Sequence, residues 1–484
     1  MSTLSTRELS LHERFSITRR NCGFPHGLTF IFSYSSESSV PTYTQLCSRV
    51  EELQKHFPLL WARVIDSKTK NPKFQARQRP WRGEEIVSQA TYTVKDDKDL
   101  EMERILYESS AGMDKLDDQL DPLWKISILR PQQEEQDSTG SRSYITVAGM
   151  HELVDGRGLM NLSLAVVDPG LDISQLPYET IDTIPLLEDT ISLKPSLTHL
   201  LPVVLRAIVL PRLPYFIQNV FKEITPWPAN LIKARPTESP FDLSLLAISP
   251  DLVSGLKKAG KSHNVPALHA TLQIAYLVAI WAKFENELNP FVLGMATPLA
   301  ERNPKLSHAY CTANYVSSYS ETIVPSSSKS FWQTASELST TLRSDAGRAA
   351  ARYSMGMLAY IPDGEQDPSK KETNRPTGWE SFFLQGAEGP TPYSIALNMS
   401  NLGYIKLPQG CDDAVWGQMA SPFGPAFAVD VLGHEAGLKF VTIWRDGSAI
   451  DRTQVKEVET VFKKVLERLA DEDWNDLTFG GLVA

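Results

Sequence analysis

The stretch RSYITVAGMHELVDGRG (142–158) joins a strand-like run to a helix start through a histidine and an aspartate four residues apart. Its opening run, RSYITVAGM, reads as a strand, and GLMNLSLAVV (158–167) sets Leu159, Leu162 and Val166 on one helical face. His151 is therefore expected at a strand end, where side chains commonly project into a cleft. The HxxxDG pattern admits a metal corner, a plain turn, or a general base with its support. Gly156 and Gly158 would permit a tight turn closed to other residues. An imidazole titrating near neutrality suits a base.

Before this stretch, DPLWKISILR (121–130) alternates as a strand. With the polar loop PQQEEQDSTGSR (131–142) it forms a hairpin whose outgoing strand delivers His151. TYTQLCSRVEELQKHFPLLWARV (42–64) reads as a helix turning into a strand. Residues 184–240 are rich in proline, which suits a crossover between lobes. Beyond them come a helix in VPALHATLQIAYLVAIWAKF (265–284) and a strand running into a loop in FVLGMATPLAERNP (291–304). The stretch DGEQDPSKKETNRPTGWE (363–380) reads as a hydrophilic surface loop. A last helix, DRTQVKEVETVFKKVLERLA (451–470), has a solvated charged face. The expected class is α/β. One lobe spans 1–185, a Pro-rich crossover 186–240, and a second lobe 241–484, each lobe a mixed, mostly antiparallel sheet flanked by helices.

Composition narrows the function. A formal charge of −10 opposes nucleic-acid binding, which needs a basic face. The four cysteines are scattered with no CxxC pair, as expected of reduced thiols in a cytoplasmic protein. The N-terminus lacks the apolar core of a secretory signal. In LTHLLPVVLRAIVLPRLPYFIQNVF (197–221), Arg206, Arg212 and three prolines rule out a transmembrane helix. A pair of buried crossover helices is expected there, with peripheral membrane contact the other reading. None of the other histidines supplies a third ligand at metal spacing, so no metal is expected. No GxSxG elbow presents a nucleophile, which argues against an acyl-enzyme.

Five segments occur in a fixed order over most of the chain: LQKHFPLLWARV (53–64), DPLWKISIL (121–129), HELVDG (151–156), ATPLAERNP with TANYV (296–316), and NMSNLG (398–403). In this the chain resembles the chloramphenicol-acetyltransferase-like superfamily. That group includes BAHD acyltransferases, condensation domains of peptide synthetases and fungal alcohol acetyltransferases, and the resemblance is greatest to the last branch. Plant BAHD enzymes carry DFGWG near the C-terminus, a structural motif distant from the chemistry. Here SPFGPAF (421–427) stands in that region, which leaves the subfamily open.

The resemblance implies two similar lobes with the active site at their interface. It implies an O-acyltransferase, moving an acetyl or other acyl group from acyl-CoA, as co-substrate, to an alcohol. No permanently bound cofactor is implied, and a monomer is expected. His151 would be the base in a ternary complex, and fungal secondary metabolism or ester formation the setting. Asp155 would hold the loop by pairing with Arg302, which could equally be a surface residue. Gly156 would form the turn and leave room near the thioester. Ser400, Asn401 or Asn314 would contact the oxyanion or substrate, Ser400 foremost. Ser400 and Asn401 also suit a plain strand end, and Asn314 buried packing. A carrier-protein-dependent condensation enzyme, a catalytically inactive binding member and a metal-dependent hydrolase are the rival readings.

Overall fold

Strands of three to twelve residues build the sheets of the computed structural model, which describes residues 5–94, 97–113, 115–116, 120–132, 141–220, 224–303, 310–363 and 375–484. The strands are β1 (Thr6–Glu8), β2 (Gly27–Tyr34), β3 (Ala62–Ile65), β4 (Lys73–Ala76), β5 (Val87–Tyr92), β6 (Trp124–Pro131) and β7 (Ser143–Met150). They continue with β8 (Phe241–Ile248), β9 (Leu293–Ala300), β10 (Val316–Ile323), β11 (Tyr393–Tyr404), β12 (Asp413–Gln418), β13 (Gly424–His434) and β14 (Gly437–Arg445).

Two large mixed sheets and a small one result. The first has the order β12-β2-β7-β6-β5, the second β10-β9-β11-β13-β14-β8, and β1-β4-β3 forms the third. Only β5 with β6 in the first sheet, and β11 with β9 and β13 in the second, pair in parallel. β7 lies mid-sheet with all eight residues buried, as a strand covered on both faces requires. Helix Leu268–Phe284 is buried nearly all round in the second lobe, whereas Arg452–Ala470 buries only the face carrying Val455, Val458, Phe462, Val465 and Leu469. Helix Lys98–Met113 fills the seam between lobes, where Met102, Ile105 and Leu106 pack with Ile31 and Val415 of one sheet and Leu243 and Val441 of the other.

Three expectations meet a different structure. The division at residue 241 does not separate the sheets, because β12 leaves the second half and pairs antiparallel with β2, Gln418 opposite Leu28 and Asp413 opposite Ser33. Asp413 anchors this crossing: its buried carboxylate meets His434 Nε2 at 3.0 Å, Lys439 Nζ at 3.0 Å, and Lys98. Burial alone would raise its pKa, but the His434 hydrogen bond and the two ammonium groups hold it below the usual range. Second, the 197–221 stretch is not a pair of buried helices. Helix Leu197–Val204 leaves Leu197 81% exposed, and Leu201, Leu205, Val209 and Tyr215 also face out. No helix among the described residues is long and apolar enough to cross a membrane.

Third, the expected loop 363–380 ends early. Thr377 caps a helix, Gly378–Glu388, that buries Trp379 and Phe383 against Arg14 and Phe423. Residues 364–374 of that loop, 133–140 of the hairpin loop, and His308 lie outside the described residues.

Candidate active site

The antiparallel pairing of β2 and β7 sets Gly27 opposite Met150. The residues just beyond, His26 and His151, therefore face each other, and His151 N donates to His26 O at 2.7 Å. After one turn the chain enters helix Gly156–Val167, whose N-cap is Asp155, with Oδ1 accepting from Gly158 N at 2.7 Å. A carboxylate there also meets the positive end of the helix.

Arg302, on the loop after β9, reaches Asp155 from the other lobe, with Nε 2.9 and 3.0 Å from the two carboxylate oxygens. Its Nη1 and Nη2 donate to Thr312 O at 3.0 Å and Ala313 O at 2.5 Å, so the guanidinium fork is filled by one segment. Ala313 adopts a left-handed φ of 61°, and its N donates to Leu153 O at 2.8 Å. Tyr315 N completes the arrangement at 2.9 Å from Asp155 Oδ2. Both ion-pair side chains are buried. Burial would raise the Asp155 pKa, yet the charge and hydrogen bonds of Arg302 and the Tyr315 and Gly158 amides bring it below its ordinary value. Arg302 is thus no surface residue: it ties the second lobe to the loop carrying His151.

The two glycines act through space and not through backbone angle, since neither adopts a positive φ. A Cβ on Gly158 would lie 2.2 Å from Cys311 O and 2.5 Å from Arg302 Nη2. On Gly156 it would approach Leu402 and Trp416 at 3.3 Å, a tighter fit than usual but a tolerable one. Gly158→Ala is therefore expected to cost about 1–3 kcal/mol by overpacking and to lower turnover by displacing Arg302. Gly156→Ala should do less. Thermal melting and turnover of both variants check this ordering.

A cavity of about 240 Å³ opens where the lobes meet, walled by β2 and β12 on one side and β9, β10 and β11 on the other. His151, 8% exposed, lies in its wall. Its Nδ1 is buried without a hydrogen-bond partner among the described residues, which leaves Nε2 as the nitrogen available to the cavity. Ser400 and Asn401 reach the cavity from β11, although Asn401 Oδ1 also accepts from Gly403 N at 2.8 Å. Asn314 departs from the expected substrate contact. It is buried, its Nδ2 donates to the His151 carbonyl, and its Oδ1 faces His12 Nδ1 at 3.1 Å.

Two histidines missed by sequence reasoning share the cavity. The His12 ring lies 4.8 Å from that of His151 in a T-shaped arrangement, and the His26 ring lies 4.2 Å from it. His26 Nε2 meets Gln418 Oε1 at 2.9 Å, and Gln418 in turn donates from N and Nε2 to the buried Asp430. Had the β2–β7 register been drawn, His26 would have been found. Nothing local marks His12, which stands on helix Leu11–Asn21. Among the described residues no three His, Cys, Asp or Glu side chains are placed to share a metal ion.

Burial, and then the neighbouring His12, lower the His151 pKa to about 3. Burial likewise lowers those of His12 and His26. The His151 imidazole is thus uncharged across the neutral range. With the folded pKa below the unfolded value near 6.5, the unfolded chain binds protons the fold refuses, so stability falls as pH drops below about 6.5. Activity limited by protonation of His151 should stay level from pH 8 to 5, where an ordinary imidazole would already have lost it. A kcat/KM profile with its acid limb near 6.5 would contradict that environment.

The sequence matches no protein-family model and no curated protein. Solved structures do match over nearly the whole chain. One is the TRI3 trichothecene 15-O-acetyltransferase of Fusarium sporotrichioides, 12% identical, with 96% of this chain and 94% of that one covered at a TM-score of 0.64. Another is the EpoB cyclization-docking bidomain of Sorangium cellulosum, 14% identical, covering 98% and 86% at 0.63. A third is the condensation domain of the monacolin K polyketide synthase MokA, 9% identical, covering 99% and 100% at 0.61. At these identities the likeness is one of fold alone, a two-lobed architecture shared with those structures over nearly the whole chain.

Proposed function

We propose that this chain is an O-acyltransferase that moves an acyl group from an acyl-CoA thioester to an alcohol. One observation carries the reading: the His151 imidazole lines a cavity between the lobes on a loop locked by Asp155 and Arg302. In the proposed step His151 Nε2 takes the hydroxyl proton as the acceptor oxygen attacks the thioester carbonyl. The tetrahedral intermediate then expels the thiolate, which receives that proton, leaving ester, free thiol and neutral imidazole. Ser400, on the opposite wall, is assigned the hydrogen bond to the oxyanion, with Asn401 beside it. Asp155 touches no reacting atom; it is a positioning residue. Both substrates must be bound together, because the mechanism uses no enzyme nucleophile.

A second reading keeps the chemistry and changes the donor. Two of the similar structures named above are a condensation domain and a cyclization-docking bidomain, which supports a thioester presented on a carrier protein as the alternative. Acetyl-CoA and an acetyl-loaded carrier protein, each offered with a panel of alcohols and amines, separate the two. Thiol release from CoA with ester formation is expected; release from the carrier alone would replace the first donor by the second. Release from neither would remove acyl transfer.

A further inference from the structure

His12 stands beside the base with no assigned task. The Asn314 amide can be oriented from its partners. Its Nδ2 faces the His151 carbonyl, which only accepts, so Oδ1 must be the atom 3.1 Å from His12 Nδ1. An amide oxygen only accepts too, so His12 Nδ1 carries the ring proton. The lone pair of the neutral ring is then on Nε2, and the His12 ring lines the same cavity as His151. Two imidazoles at a centroid separation of 4.8 Å each offer a lone pair, but the transfer removes only one proton.

We propose that His12 Nε2 accepts a hydrogen bond from a second hydroxyl or amine on the acceptor, next to the group being acylated, and so makes the enzyme selective for diols and amino alcohols over simple alcohols. This deepens the acyl-transfer reading and rests on it for its kinetic test. The physical basis is the cost of an unpaired polar atom in a closed site: a mono-alcohol leaves the Nε2 lone pair unsatisfied and displaces the water that would serve it. Other polar groups on the wall, Ser317, Ser318 and Asn398, suit the same hydroxylated class of molecule. Burial lowers the His12 pKa, which keeps the ring an acceptor at neutral pH.

The test compares cyclohexanol with cis-1,2- and cis-1,3-cyclohexanediol as acceptors, in the wild type and in His12→Phe and His12→Gln. The thioester of N-acetylcysteamine serves as acetyl donor, so the result does not depend on CoA or carrier recognition. The expected kcat/KM ratio favours one diol by about tenfold or more in the wild type, the worth of one well-placed hydrogen bond to a group otherwise left unpaired. That ratio should collapse toward one in His12→Phe and recover in part in His12→Gln, whose amide oxygen can accept. A wild-type ratio near one, or a ratio unchanged in His12→Phe, overturns the proposal. Where His12→Phe melts well below the parent, His12→Ala takes its place, and a ratio equal to the parent's overturns the proposal. If no acceptor releases thiol, the acyl-transfer reading fails on its own. Calorimetric binding of the same compounds then decides the role of His12: diol preference lost in His12→Phe supports it, and equal binding overturns it.

Discussion

His151→Ala is expected to lower kcat by about 10²- to 10⁴-fold, the usual contribution of a positioned general base, while the fold survives. The imidazole is spent on no other part of the structure. Its Nδ1 has no hydrogen-bond partner among the described residues, and its neighbours are the His12 and His26 rings and the cavity. The Asn314 contact that fixes this position uses the main-chain carbonyl, which alanine retains. Removing the side chain also removes one imidazole that refuses a proton in the fold, so the variant should lose less stability than the parent between pH 7 and 5. Turnover with saturating substrates, beside a melting curve, measures both. Parent-like turnover in a well-folded variant would remove His151 as the base.

Arg302→Met should cause the largest loss of stability, about 3–5 kcal/mol, because it leaves a buried carboxylate without its cation. Asp155 would keep the Tyr315 and Gly158 amides but lose both Nε contacts. The Thr312 and Ala313 carbonyls would lose their donors in the same stroke, and Ala313 already holds a left-handed φ. Because the folded pKa of Asp155 lies below its ordinary value, the pair stabilises the fold above about pH 4 and fades as pH falls through the folded value. The methionine variant should lose that acid sensitivity along with its stability. Arg302→Lys should fall between, since one ammonium cannot bridge a carboxylate and two carbonyls with the guanidinium's geometry. Denaturant midpoints at pH 7 and pH 3 test the order and the acid sensitivity. Turnover should fall with stability, because the loop carrying the base hangs on this pair.

Much of this was legible in the chain because it is local. The run from Ser143 to Met150, the turn, and the helix from Gly156 follow from hydrophobic period and capping, and they place His151 and Asp155. Arg302 was reached only through resemblance, since no spacing rule joins residues 147 positions apart. What could not be read depends on pairings between distant segments. β12 looks like any short apolar strand, and nothing within it says that its partner is β2. Gly158 reads in sequence as a conformational need, whereas the constraint is a carbonyl at Cys311 that the sequence does not bring near. The same holds for His12, joined to the site through Asn314 across 302 positions. The 197–221 stretch failed for the opposite reason: apolar residues need not be buried, and here Leu197, Leu201 and Tyr215 lie outside both cores.

The central claim is a direct transfer between two substrates bound at once, with His151 moving the proton. The most direct measurement is the rate of thiol release from the preferred donor as acceptor concentration rises from zero. The account predicts no release without acceptor, a saturable rise with it, ester formed in equal amount, and none of this in His151→Ala. Release at full rate without acceptor, or a stable acyl adduct on the protein, would contradict it.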